Sequence, residues 1–340
     1  MPYTADPKFA EFVRALPKTE THLHIEGACP YELLKKLDPV KYAQPPPFWD
    51  DGYRYTNGLH SFMPLYIEYC ESFFTSAERY HQAAEIMFAN CAAQGCRYVE
   101  TSFHLPTVLF MKDSGADVVR AIKEGAPRGL EVRVFAGMCH NDYAGAGKDL
   151  IEDCLRWPEL DGLDLHGLED IPLEPWTADV WERARRAGKF TKAHAGEFMG
   201  PDFVERILDE VKPQRIEHGV RVAESPATTA RLIDDGIALD VCPLSNVKLC
   251  VPGVTSLATH PFRRLFDAGV TVTVNSDDPF FLGNSLSEEY FALHAVQGFS
   301  AAELGRVAAN GFKVALIPEH VRRAHLADLA RFMAEQVLGR

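Results

Sequence analysis

Residues 270–279 read Val270-Thr271-Val272-Thr273-Val274-Asn275-Ser276-Asp277-Asp278-Pro279. Five consecutive β-branched residues run into polar turn formers and a proline, which is how a short buried strand reads where it ends. The strand is read as 270–276, and seven more short apolar or β-branched runs bounded by turn residues occur at 19–26, 98–104, 131–137, 163–168, 191–196, 215–218 and 238–242. Amphipathic helical patterns separate most of them, at 77–94, 180–187, 201–211 and 228–235. In the first of these, Ala83, Ile86, Met87 and Cys91 fall at helical spacing and Gly95 follows as a stop. Strand–helix alternation repeated eight times predicts an α/β fold, specifically a (β/α)8 TIM barrel. Such barrels exceed about 250 residues without splitting, so 1–340 reads as one domain. Two regions fall outside the alternation. Residues 28–80, with Pro45-Pro46-Pro47-Phe48-Trp49 and Phe62-Met63-Pro64, read as a helical insertion after strand one. They are expected over the C-terminal mouth of the barrel, where they would exclude water. Residues 301–340 read as a C-terminal helical tail.

The formal net charge is −13, which repels phosphate backbones and anionic membrane surfaces. No long Lys/Arg run occurs, so no nucleic-acid partner is expected. No apolar stretch reaches the roughly 18 residues of a membrane span, and residues 1–18 carry no apolar core of a signal peptide. The eight cysteines are scattered without a C-x-x-C pair. Reduced, buried thiols in a cytoplasmic protein are the expectation.

Barrel enzymes carry their chemistry at the C-terminal ends of strands. Strand one ends in Thr21-His22-Leu23-His24-Ile25-Glu26-Gly27, and strand five in Ala193-His194-Ala195-Gly196-Glu197. Strand six ends in Glu217-His218-Gly219, and strand eight in Asp277-Asp278. Residues two apart on a strand share a face, so His22 and His24 can meet one ion. Neither His-x-His nor Asp-Asp is informative alone, and Asp50-Asp51 and Asp234-Asp235 also occur. The signal is their joint placement. Imidazoles with one carboxylate suit a single Zn²⁺ with room for water, and the ligand set read here is His22, His24, His194 and Asp277. Such an ion lowers the pKa of bound water towards about 7. The hydroxide formed could attack the amidine carbon of a purine. Glu197 is the expected proton donor to a ring nitrogen, and His218 the group that holds the attacking oxygen and accepts its proton. Asp278 and the Gly196 N–H are expected to contact the ring. Glu217 reads as a supporting carboxylate. His104, His140 and His166 also end strands, and at this level they stay open as ligands.

At these residues the chain resembles the adenosine/adenine deaminase family of the amidohydrolase superfamily. The resemblance runs from LPKTETHLHIEGA (16–28) through KAHAGE (192–197), RIEHGVR (215–221) and VCPLSNVKL (241–249) to VNSDDPFFLG (274–283). It implies a (β/α)8 barrel with one zinc ion on His22, His24, His194 and Asp277, and it removes His104, His140 and His166 from the metal. It also implies Glu197 as proton donor, His218 as the residue that orients or deprotonates the water, and Asp278 and Gly196 as ring contacts. Many nucleoside deaminases of the family have Asp, contacting the sugar, where this chain has Glu26. Glu26, RIEHGVR and VCPLSNVKL resemble the free-adenine branch, whereas LSEEY (286–290) resembles the nucleoside branch.

The expected function is zinc-dependent hydrolytic deamination of a 6-aminopurine, with adenosine or a related nucleoside as substrate. The alternatives are deamination of free adenine, or another hydrolysis known in the superfamily. Several such hydrolases bridge two metals with a carboxylated lysine, and Lys192, two residues before His194, could face inward. A non-catalytic purine-binding barrel is the third possibility. Oligomeric state is not legible.

Overall fold

The computed structural model describes residues 6–338. Eight strands run in chain order around one sheet: β1 (Lys18–Glu20), β2 (Cys96–His104), β3 (Glu131–Cys139), β4 (Gly162–His166), β5 (Phe190–Ala195), β6 (Arg215–His218), β7 (Leu239–Val241) and β8 (Val272–Val274). Each pairs in parallel with the next. β4, β6, β7 and β8 are buried along their whole length, as parallel strands covered on both faces must be. The seam between β8 and β1 closes through an isolated bridge between Leu23 and Asp277. There, the His24 N–H donates to the Asp277 carbonyl at 3.0 Å and the Asp277 N–H to the His22 carbonyl at 3.2 Å. The architecture is the predicted (β/α)8 barrel.

The two largest departures from the expected strand lengths lie at the seam. β1 stops at Glu20 rather than 26, and β8 spans three residues rather than seven. At this seam side chains replace the ladder: Thr21 N–H donates to Asn275 Oδ1 at 2.7 Å, and Ser276 N–H to Glu20 Oε1 at 2.9 Å. His22 and His24 therefore lie beyond the regular strand, on a segment tied to both neighbours. Several helices that follow strands begin with proline in the first turn: Pro201, Pro226, Pro243 and Pro279. Proline there loses no hydrogen bond and presets the helical φ.

The lower barrel interior is ionic. Lys192 pairs with Glu217 and, at 3.2 Å, with Glu100. Arg215 pairs with Glu100 and, at 2.6 Å, with Asp240. All five are buried. Leaving any one unpaired would cost about 3–5 kcal/mol, so the network fixes the floor on which the upper residues stand. Lys192 does face inward, but its ammonium is taken by these carboxylates and by the Thr21 carbonyl at 3.0 Å.

The insertion contributes the helices Tyr31–Leu37 and Leu59–Phe73. It is tied to the segment after β8 by Trp49 Nε1–H donating to the Phe280 carbonyl (2.6 Å) and Tyr55 O–H to the Phe281 carbonyl (3.0 Å). Phe62 and Tyr66 pack on Phe281 with ring centroids 5.3 and 5.4 Å away. The tail forms the helices Ala301–Val314 and Glu319–Leu338. Among the described residues no helix is long and apolar enough to cross a membrane, and all eight cysteines are free thiols.

Candidate active site

The ends of β1, β5, β6 and β8 converge. The ring of His22 lies 5.3 Å from that of His24, 4.8 Å from His194 and 4.5 Å from His218, centroid to centroid. Asp277 Oδ1 sits 3.4 Å from His22 Nε2 and 3.5 Å from His24 Nε2. The four residues read as ligands are thus brought to one point.

Their outer partners orient them. His22 Nδ1 faces the Glu217 carboxylate and, at 3.1 Å, the Asp240 carbonyl. Its proton therefore belongs on Nδ1, and Nε2 is left buried without a hydrogen-bond partner. His194 Nδ1 likewise faces Asp164 Oδ1 at 3.1 Å. Ser245 Oγ–H donates to Asp277 Oδ2 at 2.6 Å. Carboxylates behind imidazoles are the usual support of metal-ligating histidines, and an orphaned buried imidazole nitrogen aimed at a carboxylate oxygen fits a cation between them. The donor set of three imidazoles and one carboxylate suits Zn²⁺.

Two site residues hold strained backbone. His218 and Asp277 have φ of 60° and 64°, in the left-handed region that non-glycine residues rarely adopt. Each such residue costs of order 1–3 kcal/mol and persists only where its surroundings enforce it.

Glu197 lies beyond β5 on a turn fixed by Glu169. That carboxylate accepts from the N–H groups of Glu197 (3.0 Å), Phe198 (2.8 Å) and Met199. The Glu197 side chain does not cap the next helix, whose first turn opens on Pro201. Its Oε1 accepts from Asn246 Nδ2 at 3.1 Å, and Oε2 is 3.6 Å from His218 Nε2. Burial, reinforced by the charges of Asp277 and Glu169, pushes the Glu197 carboxyl well above the usual range. Burial and the adjacent Asp277 do the same to Asp278. Asp278 Oδ1 is buried without a partner, and a Cβ on Gly27 would sit 1.6 Å from it, so glycine at 27 is what lets this carboxyl stand here. Burial holds the His218 imidazole well below its ordinary value.

Sequence reading missed Asn246 and Ser245. Both lie on the short helix Pro243–Lys248 behind β7, in the VCPLSNVKL stretch. The polarity around Asn246 is readable from its partners. Phe262 N–H donates to His260 Nδ1 (3.1 Å), so His260 carries its proton on Nε2 and donates to Asn246 Oδ1 (3.1 Å). Asn246 Nδ2 then donates to Glu197 and to His218 Nδ1 (3.2 Å). With Nδ1 accepting, neutral His218 bears its proton on Nε2, the nitrogen facing Glu197 and Asp277.

A cavity of about 150 Å³ opens beside these groups. His24, His194, Glu197, His218, Asp277 and Asp278 border it, and Leu59, Phe62, Met63, Tyr66 and Ile67 of the insertion form an apolar wall. Gly196, directly before Glu197, forms a left-handed turn (φ 75°) in which a Cβ would strike Val204. Glu26 is buried off the cavity. Its Oε1 accepts from Tyr80 O–H (2.6 Å) and the His104 N–H (2.9 Å), and its Oε2 from Tyr66 O–H (3.4 Å). Of the histidines left open, His104 and His166 border the cavity, while His140 is turned away to the Ile171 carbonyl.

Residues 17–331 match the model of the adenosine deaminase family. The chain belongs to the adenosine deaminase family. As a member of that family it is a hydrolytic deaminase acting on a C–N bond of a cyclic amidine. Among similar proteins, the adenine deaminase of Chlorobium luteolum is 31% identical, with 94% of this chain and 96% of the relative covered. The adenine deaminase of Caulobacter vibrioides is 33% identical, with 96% of both covered. The adenosine deaminase family fold is also that of the solved adenine deaminase from Arthrobacter aurescens (TM-score 0.82, 24% identity, 94% of this chain and 100% of that one). A zinc-bound amidohydrolase from Burkholderia ambifaria shares it too (TM-score 0.85, 24% identity, 100% and 97%). The relatives do not support adenosine as the substrate; the alternative reading, free adenine, fits them better.

Proposed function

We propose that this protein hydrolyses the 6-amino group of free adenine, with water consumed and hypoxanthine and ammonia released. The observation that carries the choice of base over nucleoside is the closure of Glu26. Where many family members offer a carboxylate to a sugar, this chain's carboxylate is filled by Tyr80, Tyr66 and the His104 N–H. A cavity of about 150 Å³ is of the size that admits a benzene-like ring, which supports a flat heterocycle without a ribose. The names of the relatives point the same way. Ammonia release from adenine and adenosine assayed side by side tests the proposal.

His22, His24, His194 and Asp277 are the residues that would hold one Zn²⁺ per chain. When bound, such an ion supplies Lewis-acid activation of water at neutral pH. The remaining roles belong to the chain. Glu197, kept protonated by burial, donates its proton to a ring nitrogen as the amidine carbon is attacked; a positioned acid of this kind is worth about 10²–10⁴-fold. His218 presents Nε2–H and orients the incoming oxygen, and the proton given up by the water returns through the Glu197 carboxylate to the departing amino group, which leaves as ammonia. Protonated Asp278 offers an O–H to a second ring nitrogen. Residues 28–80 shield the site with the apolar wall of the helix Leu59–Phe73, which strengthens every polar interaction inside.

A further inference from the structure

Opposite the residues just assigned, the ends of β2, β3 and β4 bring together His104, Cys139 and His166, whose ligand atoms all lie within 4.8 Å of one another. His104 Nδ1 is 3.0 Å from His166 Nε2. All three border the cavity. Two glycines make room for the group. A Cβ on Gly137 would sit 2.5 Å from the His166 ring, and one on Gly167 would sit 2.7 Å from Cys139 Sγ. The cluster abuts the first four ligands: the His166 ring is 5.5 Å from that of His24, and His24, Asp164 and His166 also bring their ligand atoms within 4.8 Å of one another.

Two imidazoles and a thiol form a soft donor set that selects Zn²⁺ or Cd²⁺ over Mg²⁺ or Ca²⁺. We propose that His104, Cys139 and His166 form a second, weaker site for a soft divalent cation, and that its occupation by excess zinc blocks the substrate cavity. On binding, Cys139 becomes the thiolate and its proton passes to solvent. Giving up that proton is costly for a thiol that burial pushes up, and the set lacks the carboxylate that Asp277 supplies to the first site. Both features make this the weaker of the two. An ion there would occupy the space a flat ring needs.

The test is zinc uptake by the intact protein, measured by equilibrium dialysis and elemental analysis. The wild type should take two equivalents, the second more weakly, and Cys139→Ser and His104→Gln should each take one. Cadmium titration should raise a near-ultraviolet sulfur-to-metal band with the second equivalent, absent from Cys139→Ser. Excess zinc should raise the apparent KM several-fold in the wild type and not in His104→Gln. Saturation of the wild type at one equivalent, or a second equivalent retained by both variants, would overturn the proposal. Uptake is read without substrate, so failure of the adenine assignment is distinguishable. A His24→Ala variant, which removes the first site, separates the two ions.

Discussion

Asn246 bridges Glu197 and His218: its Nδ2 lies 3.1 Å from Glu197 Oε1 and 3.2 Å from His218 Nδ1. Because His260 holds the amide oxygen, the amide cannot flip without losing a buried hydrogen bond. One side chain therefore sets the proton position on His218 and steadies the acid. Asn246→Asp removes the donor at nearly constant shape. A lost buried hydrogen bond costs about 1–3 kcal/mol, so kcat should fall roughly 10- to 100-fold. The pH–rate profile should shift as well. Retention of both kcat and profile would separate Asn246 from the mechanism.

Glu197→Gln should keep its metal but lose about 10²–10⁴-fold in kcat, the usual worth of a positioned proton donor. Elemental analysis alongside steady-state kinetics checks both halves. A near-normal rate would assign the proton to another group.

The rate should also report the Glu197 proton directly. Burial raises this carboxyl, so the donating form persists above the ordinary carboxylate range and is lost as pH rises through the raised value. The account predicts an alkaline limb in kcat that is missing from the residual activity of Glu197→Gln. An identical limb in both enzymes would trace it to a different group.

His24→Ala should abolish tight zinc binding at the first site. Asp164→Asn, which weakens the carboxylate behind His194, should lower zinc affinity about 10- to 100-fold while leaving the fold intact. Competition with a chelator measures both, and unchanged affinity in His24→Ala would contradict the ligand set.

Glu26→Asp withdraws the carboxylate by one methylene from Tyr80 and the His104 N–H. Stability should fall by about 1–3 kcal/mol, as expected when buried donors lose their acceptor. The adenosine-to-adenine rate ratio should rise roughly tenfold, equivalent to about 1.4 kcal/mol. A ratio that does not move would show that position 26 does not govern access of the sugar.

The barrel was legible because short apolar or β-branched runs alternate with amphipathic helical patterns through most of the chain, as buried parallel strands covered by helices require. The convergence of His22, His24, His194 and Asp277 was legible because chemistry in this architecture sits where strands end. What escaped has physical reasons. Asn246 and Ser245 act from a six-residue helix too short to show a periodicity, and their importance lies in which lone pairs they fill. Glu26 reads as a site residue from its position in the motif, and only the partners of its oxygens show it to be closed. β1 looked longer than it is because His22 to Glu26 keep strand-like composition, while side chains of Glu20 and Asn275 take over the pairing at the seam.

The central claim is that this site hydrolyses the amino group of a free base. The most direct measurement is ammonia release by the zinc-loaded protein from adenine, adenosine and deoxyadenosine at equal concentration. The account predicts rapid conversion of adenine to hypoxanthine and little or no release from either nucleoside. Preferential turnover of adenosine, or no release from adenine with the metal in place, would contradict it.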